Sequence, residues 1–387
     1  MMKKLRIIAD NKIPFLKGAL DELADIMYLP GAGITAEHVK NADALLIRTR
    51  TKCNAELLHG SSVKFIATAT IGFDHIDTEY CENNGIYWTN SPGCNSSSVE
   101  QYIVSILLNL SYERNIKLSG LTMAVIGVGN VGKKVARAAK ALGLIVLQND
   151  PPRAFEEGIS GFDSLERIKK EADIISFHVP LNTDGPFKTV DLGNMEFFEG
   201  LHKKPILINS SRGEVLNEHD LLLALNKSLF EAVILDVWHN EPSINTELLN
   251  KVDIATPHIA GYSTDGKANG TQMSVQALSR FFNLGLDNWF PLGVPLPENI
   301  ILTVDCTRKT EIQIMHEVYS QIYDVHVDDR LLRADIESFE DQRGKYRLRR
   351  EAKVYSIKLI NNSLPEVEER LEKLGFAILE PNCFCEI

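Results

Sequence analysis

Three ionisable residues in the second half of the chain follow apolar stretches that have the composition of buried strands. They are Arg212, Glu241 and His258. A histidine can take the proton of an alcohol near neutral pH, and a carboxylate beside it orients the ring and stabilises the imidazolium. An arginine can hold a substrate carboxylate through two parallel hydrogen bonds. Together these residue types favour the oxidation of a 2-hydroxy acid.

A glycine-rich segment, GVGNVG at 127–132, follows an apolar stretch and opens a helical one. This context is typical of a dinucleotide-binding loop, in which the glycines permit a tight turn, close approach of a pyrophosphate and close packing of helix on strand. The free N–H groups at the start of the helix would bind the phosphates. The loop residues expected to contact the cofactor are Gly127, Gly129, Asn130, Val131 and Gly132.

Asp150 lies 18 residues after Gly132, directly after the next apolar stretch. An acid at this place meets the ribose hydroxyls of the adenosine and repels a 2′-phosphate. The sequence therefore predicts NAD rather than NADP as the cofactor, although Arg153 close by slightly weakens this preference.

The elements that must position these residues alternate between apolar runs and helical stretches, a pattern that predicts an α/β protein with a doubly wound parallel sheet. The predicted strands are 5–9, 44–47, 65–68, 122–126, 145–149, 173–177, 205–209 and 232–235, and the predicted helices are 17–23, 101–110 and 133–142. The uncharged helix 101–110 is expected to be buried. A linker rich in proline at 289–297 precedes a small β-α-β tail with strands at 354–359 and 377–379 and a helix at 364–374.

Length, charge and cysteine content narrow the class of protein. A chain of 387 residues predicts two or three domains. The net charge of -11 argues against nucleic acid or an anionic membrane as the main partner. Because no apolar run reaches the length of a membrane span or a signal peptide, a cytoplasmic protein is expected. The cysteines are expected to be reduced structural thiols, with no metal site; they are Cys53, Cys81, Cys94, Cys306, Cys383 and Cys385.

Several motifs match one family. They are 127–132, NSSRG at 209–213, LDVW at 235–238, EP at 241–242 and TPHIAG at 256–261. On these motifs the chain resembles the D-isomer-specific 2-hydroxyacid dehydrogenases. The resemblance implies that Arg212, Glu241 and His258 are catalytic, with His258 as acid and base, and that Asp236 contacts the nicotinamide carboxamide.

The resemblance also implies further ligand contacts. Val179, Ser210, Ser211 and Gly261 would contact the cofactor, the first three through the backbone because their side chains depart from the usual pattern. Further segments, at 91–95, 150–153, 184–189 and 258–262, are most similar to a branch of the family that acts on a small phosphorylated hydroxy acid. By position, the substrate contacts implied are Arg48, Thr49, Thr70 and Tyr262.

The family architecture implies three domains and a homodimer. A flavodoxin-like substrate domain, or lid, would comprise 1–95 and 260–290, with a Rossmann-type NAD-binding domain inserted at 96–259 and a small α+β dimerisation domain at 291–387. Arginines in the tail have two interpretations. They form a solvated basic face, or Arg349 or Arg350 reaches the substrate phosphate across the dimer.

Two alternative functions stay open at this point. One is another D-2-hydroxyacid dehydrogenase, of the 3-phosphoglycerate or D-lactate type, which the segment 150–153 and the short tail disfavour. The other is a non-enzymatic NAD-sensing protein on the same fold, since fold does not fix function. The acidic chain without a disordered tail disfavours that class. Glu241 also disfavours a formate dehydrogenase, which pairs its histidine with a different residue.

Overall fold

The computed structural model of the chain describes residues 4–158 and 161–380 and divides them into two compact units. The first unit holds the residues up to Asn95 together with Ser263–Leu296. The second holds Ser96–Tyr262 together with the residues from Pro297 on. The separation of 291–387 as a domain of its own stays a prediction.

The first unit is built on a five-stranded parallel sheet. Its strands are β1 (Leu5–Asp10), β2 (Ala24–Leu29), β3 (Ala44–Ile47), β4 (Phe65–Thr68) and β5 (Tyr87–Thr89). The order β2-β1-β3-β4-β5 is the flavodoxin-like order, in which ligands bind beside the carboxyl ends of β1 and β3. The helices of this unit are Ala36–Val39, Ala55–Leu58, Thr78–Asn83 and Thr264–Phe282, with a 3-10 turn at Gly31–Gly33.

The helix Thr264–Phe282 packs against the end of β4 at very short range. A Cβ on Gly270 would lie 2.7 Å from the Ala69 carbonyl oxygen, so only glycine permits this approach. The Asn269 amide donates to the Cys94 carbonyl at 2.9 Å, and the Phe65 and Phe281 rings lie 5.2 Å apart. The helix therefore belongs to the first unit even though the chain reaches it last.

The second unit contains a six-stranded sheet in which every pair of neighbours is parallel. Its strands are β6 (Thr122–Ile126), β7 (Ile145–Asn149), β8 (Ile174–Phe177), β9 (Ile206–Asn209), β10 (Ala232–Leu235) and β11 (Ile254–Ala255). The order β11-β10-β9-β8-β6-β7 reverses direction between β6 and β8, the place where a doubly wound sheet binds its ligand. The predicted α/β class with a doubly wound parallel sheet is confirmed.

Helices cover this sheet, and one of them lies at the centre of the hydrophobic core. The helices are Ser96–Arg114, Asn130–Ala141, Pro151–Glu157, Leu165–Glu171, Met195–Glu199, Glu218–Asn226 and Thr246–Lys251, with a 3-10 turn at Gly213–Val215. The helix Ser96–Arg114 is buried from Ser98 to Ser111, which confirms the burial predicted from its lack of charge. It packs against Asn130–Ala141 on one side and against a helix of the tail on another.

The tail adds a three-stranded parallel sheet to the second unit. Its strands are β12 (Ile301–Asp305), β13 (Ser356–Ile360) and β14 (Ala377–Ile378), in the order of the chain. Its helices are Glu311–Ile322, Val325–Ala334, Phe339–Gly344 and Pro365–Lys373, with 3-10 turns at Ile336–Ser338 and Ala352–Val354. The predicted linker 289–297 contains no helix or strand.

Two predictions about local structure are wrong or incomplete. The stretch 17–23 forms consecutive turns instead of a helix, and Gly18 there has a φ of 87°, which interrupts helical geometry. The strands β2, β5, β11 and β12 were not predicted. All four lie at sheet edges. The strands β2, β5 and β12 contain exposed or half-buried residues, and β11 has only two residues, so none of the four forms a long apolar run.

The remaining predictions from composition concern membranes, cysteines and metals. Within 4–158 and 161–380, no helix has the length and apolarity needed to cross a bilayer. Cys53, Cys81, Cys94 and Cys306 are buried, and no disulfide joins them. Cys383 and Cys385 lie outside the described residues. The described part of the chain contains no cluster of histidine, cysteine and carboxylate side chains able to hold a metal ion.

Candidate active site

His258 and Glu241 form a hydrogen-bonded dyad in the second unit. The His258 Nδ1 atom lies 2.7 Å from Glu241 Oε2, and Glu241 Oε1 accepts the Trp238 backbone N–H at 3.0 Å. The His258 side chain remains 32% exposed, so the ring is within reach of a ligand. Sequence reasoning paired these two residues, and the structure brings them together.

The charge state of Glu241 follows from competing effects. Burial raises the pKa of this carboxyl. The hydrogen bond and charge of His258, the Trp238 N–H and the charge of Arg343 outweigh burial, and they hold the pKa below its ordinary value. Glu241 is therefore a carboxylate at neutral pH, and its Oε2 atom accepts a hydrogen bond from the N–H at Nδ1 of the ring.

The backbone of His258 is held in an uncommon conformation. Its φ is 56°, in the left-handed region that few residues other than glycine adopt. The His258 N–H donates to the Asp236 carbonyl oxygen at 2.7 Å, which ties this conformation to the end of β10. Strain of this kind is maintained where the surrounding structure fixes the geometry of a site.

The Asp236 carboxylate organises the loop that carries His258. It accepts hydrogen bonds from Thr256 Oγ1 at 2.6 Å, from the Ile259 N–H at 2.7 Å and from the Ala260 N–H at 2.9 Å. Since Thr256 gives its one hydroxyl proton to Asp236, the Tyr102 hydroxyl is the donor in its 2.8 Å contact with Thr256. Burial raises the pKa of Asp236. A contact of this residue with the nicotinamide stays a prediction.

Arg212 lies on a loop that packs tightly against the loop carrying Glu241. A Cβ on the next residue, Gly213, would lie 2.2 Å from the Trp238 carbonyl carbon, so only glycine allows the two loops to come this close. The half-buried Arg212 donates from Nη1 to the Ser211 carbonyl oxygen at 2.8 Å. The loops after β9 and β10 are thus adjacent, as the parallel-sheet argument requires.

The glycine loop has the shape that a dinucleotide needs. Gly127 has a φ of 87°, and a Cβ on it would lie 2.6 Å from the His178 carbonyl oxygen. A Cβ on Gly132 would lie 1.9 Å from the Gly127 carbonyl oxygen. In contrast, a Cβ on Gly129 would meet no atom within 4 Å, so this backbone faces open space at the start of the helix Asn130–Ala141. These features fit a bound pyrophosphate.

Asp150 lies beside this loop, at the end of β7. Its Oδ2 atom accepts the Val128 N–H at 2.8 Å, and its Oδ1 atom accepts the Arg153 N–H at 3.2 Å. The Arg153 Nη1 group donates to the Val128 carbonyl oxygen at 2.7 Å, and the same guanidinium pairs with Glu157. Asp150 and Arg153, the two residues expected to influence the choice between NAD and NADP, therefore both contact the glycine loop.

Replacing Asp150 with asparagine should shift cofactor preference towards NADP. Asparagine keeps one side-chain oxygen, which can still cap the helix Pro151–Glu157. It removes the second acceptor, which the Val128 N–H uses, together with the charge that repels a 2′-phosphate. We expect the NADP-to-NAD ratio of kcat/KM to rise about tenfold, or about 1.4 kcal/mol. The corresponding amide replacement at the exposed Glu166, E166Q, should leave this ratio of kcat/KM values unaltered. An unchanged ratio in D150N would contradict the role of Asp150.

Other predicted cofactor contacts lie at the ends of β8 and β9. The Val179 Cγ1 atom would lie 2.9 Å from a Cβ on Gly127, which places it against the glycine loop. The Ser210 hydroxyl is buried with no hydrogen-bond partner among the described residues, as expected of a group that meets a ligand. The Ser211 hydroxyl donates to Asn209 at 2.7 Å. Gly261 follows Ala260 and is half-buried. Their cofactor contacts stay predictions.

The predicted substrate contacts of the first unit lie at the carboxyl edge of its sheet. Arg48 follows β3 and donates to the Lys12 carbonyl oxygen at 3.1 Å. Thr70 follows β4, and its hydroxyl lies 2.7 Å from that of Thr68. Thr49 lines an open cavity of about 520 Å³. Sequence reasoning missed Lys267. Burial, and after it the charge of Arg48, lowers the pKa of this lysine to about 8.

Arg349 and Arg350 lie inside the second unit. Arg349 is 2% exposed and donates to Gln101 Oε1 at 2.8 Å and to the Ser98 carbonyl oxygen at 2.5 Å. Its guanidinium stacks 3.7 Å from the centroid of the Tyr323 ring. Arg350 is buried, and its carbonyl oxygen accepts the Gln101 side chain. The interpretation as a solvated basic face is wrong for both, and contact with a phosphate stays a prediction.

Arg343 is a residue of the site that sequence reasoning missed. Its guanidinium carbon lies 5.7 Å from the centroid of the Tyr262 ring, and its charge reaches Glu241. The Tyr346 ring packs perpendicular to Tyr262 at 5.8 Å. No local sequence signal could have identified Arg343. It lies about 80 to 100 positions after Tyr262 and Glu241, and it belongs to no recognised motif.

Comparisons with known proteins agree with this site. Residues 107–260 match the family described as D-isomer specific 2-hydroxyacid dehydrogenase, NAD binding domain. Residues 295–375 match a domain of unknown function, DUF3410. Among solved structures, D-lactate dehydrogenase from Aquifex aeolicus complexed with NAD and lactic acid has a TM-score of 0.60 and 27% identity. That match covers 75% of this chain and 100% of the other.

Curated relatives resemble the chain over almost their whole length. Erythronate-4-phosphate dehydrogenase of Bacteroides thetaiotaomicron is 51% identical over 91% of this chain and 99% of the relative. The enzyme of that name in Proteus mirabilis is 39% identical over 96% of this chain and 99% of the relative. The chain therefore belongs to the D-isomer specific 2-hydroxyacid dehydrogenase family, and within it to the group of erythronate-4-phosphate dehydrogenases. The predictions of a NAD-dependent oxidoreductase and of NAD as cofactor are confirmed.

Proposed function

We propose that this chain oxidises 4-phospho-D-erythronate at C2, with NAD, to 3-hydroxy-2-oxo-4-phosphooxybutanoate in the biosynthesis of pyridoxal 5′-phosphate. The observation that carries the proposal is the near full-length similarity to erythronate-4-phosphate dehydrogenases. The 2.7 Å dyad of His258 and Glu241 supports it, because it supplies the base that oxidation of an alcohol requires.

His258 removes the proton of the C2 hydroxyl group. Because Nδ1 donates to the Glu241 carboxylate, the neutral ring carries its lone pair on Nε2, and this atom is the base. As the proton arrives, the ring becomes an imidazolium, which the adjacent Glu241 carboxylate stabilises. The Asp236 network holds His258 in place, so the base is oriented before the substrate binds.

Arg212 holds the substrate carboxylate and polarises the carbonyl group as it forms. The loop 127–132 and Asp150 would hold the pyrophosphate and ribose of NAD, with Val179, Ser210, Ser211, Asp236 and Gly261 towards the nicotinamide. When bound, NAD supplies the acceptor for the hydrogen that leaves C2. Closure around the ligands excludes water from the reacting atoms.

The finer parts of the proposal concern the other contacts, assembly and location. Arg48, Thr49, Thr70 and Tyr262 contact the substrate, and a tail arginine binds its phosphate. The protein acts as a homodimer in the cytoplasm, with neither nucleic acid nor a membrane as partner. The net charge of -11 supports the last point, because it disfavours polyanionic partners.

Another D-2-hydroxyacid dehydrogenase activity is the second candidate. The similarity to D-lactate dehydrogenase of Aquifex aeolicus favours it, but that match leaves a quarter of this chain uncovered. The curated relatives, which match over almost their whole length, favour the phosphorylated substrate instead.

The test of the proposed function is reduction of NAD in a single turnover, followed as NADH absorbance. Three substrates are compared in parallel: 4-phospho-D-erythronate, 3-phosphoglycerate and D-lactate. A signal specific to 4-phospho-D-erythronate is expected. A larger signal with either of the other two would establish the second candidate and reject the first.

A further inference from the structure

Arg343 is a largely enclosed cation in the part of the chain that matches the domain of unknown function. It lies on the helix Phe339–Gly344, and its side chain is 22% exposed. Its Nη1 group donates to Glu340 at 2.7 Å, while its Nε atom is buried with no hydrogen-bond partner among the described residues. A buried donor without a hydrogen-bond partner costs free energy of folding. The single hydrogen bond to Glu340 therefore does not explain why the Arg343 side chain is enclosed here.

The neighbours of Arg343 belong to the catalytic segment. The guanidinium carbon lies 5.7 Å from the centroid of the Tyr262 ring, and Tyr262 follows His258 by four residues. The positive charge of Arg343 also helps to keep Glu241, the partner of His258, ionised. The tail therefore places a cation beside Tyr262, within the same compact unit, where its charge acts on Glu241.

The other arginines of this stretch are already engaged. Arg347 pairs with the buried Asp328, and Arg349 is occupied by Gln101, the Ser98 carbonyl oxygen and the Tyr323 ring. Arg343 is the cation of this stretch that lies against Tyr262.

The proposed substrate carries a carboxylate at one end and a phosphate at the other. Arg212 is assigned to the carboxylate, so the phosphate needs a second cation. The planar fork of a guanidinium matches two phosphate oxygens, and such paired hydrogen bonds are strong because both partners are charged.

We propose that Arg343 binds the phosphate group of the substrate and so makes the C-terminal segment a specificity element of the active site. The proposal rests on the proposed function, because it requires a substrate that carries a phosphomonoester. It assigns a role to a segment whose family has no described function, and it predicts that Arg343 distinguishes phosphorylated from unphosphorylated substrates.

The test compares 4-phospho-D-erythronate with D-erythronate, which lacks the phosphate. In R343M, we expect kcat/KM for the phosphorylated substrate to fall about 10- to 100-fold, mainly through KM. The inhibition constant of D-erythronate against the phosphorylated substrate should change by less than about twofold, because this molecule has no group for Arg343 to hold. R343K should recover part of the loss, because lysine keeps the charge but not the fork.

K345M is the matched control, since Lys345 is 79% exposed and its loss removes the same charge two positions away. Its KM should equal that of the wild type, and both variants should keep the melting temperature and the NAD affinity of the wild type. An equal loss with both ligands, or a fall in kcat alone, would overturn phosphate binding and leave Arg343 a positioning residue for Glu241. A wild-type enzyme inactive on 4-phospho-D-erythronate would instead reject the proposed function, and this inference with it.

Discussion

Replacing His258 with asparagine is expected to lower kcat about 10²- to 10⁴-fold, the usual contribution of a general base. Asparagine is the informative replacement, because it tolerates the left-handed backbone that His258 adopts at a φ of 56°. It cannot accept the proton of the substrate hydroxyl. The rate follows from NADH absorbance, and the NAD affinity from a titration without substrate.

The control for this prediction is the same change at His202, an exposed histidine of the same unit. H202N should retain wild-type kcat, and H258N should retain wild-type NAD affinity and melting temperature. Turnover by H258N within about tenfold of the wild type would show that another group takes the proton, and the role of the dyad would have to be abandoned.

Replacing Gly129 with alanine is expected to weaken NAD binding without weakening the fold. The φ of Gly129 is -74°, within the range of other residues, and the new Cβ would meet no protein atom within 4 Å. The methyl group would occupy the space through which the pyrophosphate approaches. We expect the Kd for NAD to rise about 10- to 100-fold, or about 1.4 to 2.7 kcal/mol. A titration with NAD and a thermal melt measure the two effects.

Alanine replacements at two other glycines serve as controls for G129A. Gly33 has room for a Cβ at ordinary contact distance, so G33A should change neither NAD affinity nor stability. Gly132 has none, because its Cβ would lie 1.9 Å from the Gly127 carbonyl oxygen, and G132A should melt at a lower temperature. An unchanged Kd in G129A would mean that the cofactor phosphates lie elsewhere.

Buried strands were the part of the fold that could be predicted most directly. The strands β3, β4, β8, β9 and β10 are buried at every residue, so each appears in the sequence as a short apolar run. The edge strand β2 has no such apolar run, because several of its residues are exposed or half-buried. The stretch 17–23 had a helical pattern but lies in turns, since local preference yields to the tertiary path of the chain.

The residues of the site also differ in whether they could be predicted from the sequence. The glycine loop, His258 and Glu241 were predictable because their chemistry is written in short motifs at the ends of predicted strands. The contacts of Arg343 and Arg349 were not, because each depends on how the tail packs against residues about 80 to 250 positions earlier. The burial of Arg349 likewise reverses what a short run of basic residues indicates, since charge runs usually face solvent.

Oxidation of the substrate at C2 can be tested by following deuterium from this carbon to the cofactor. 4-Phospho-D-erythronate labelled with deuterium at C2 is mixed with enzyme and NAD for one turnover, and the NADH is analysed by mass spectrometry. One deuterium is expected in the reduced nicotinamide, which should form more slowly than with unlabelled substrate. Reduced nicotinamide without the label, or none at all from an enzyme that binds NAD, would contradict oxidation at C2 of this substrate.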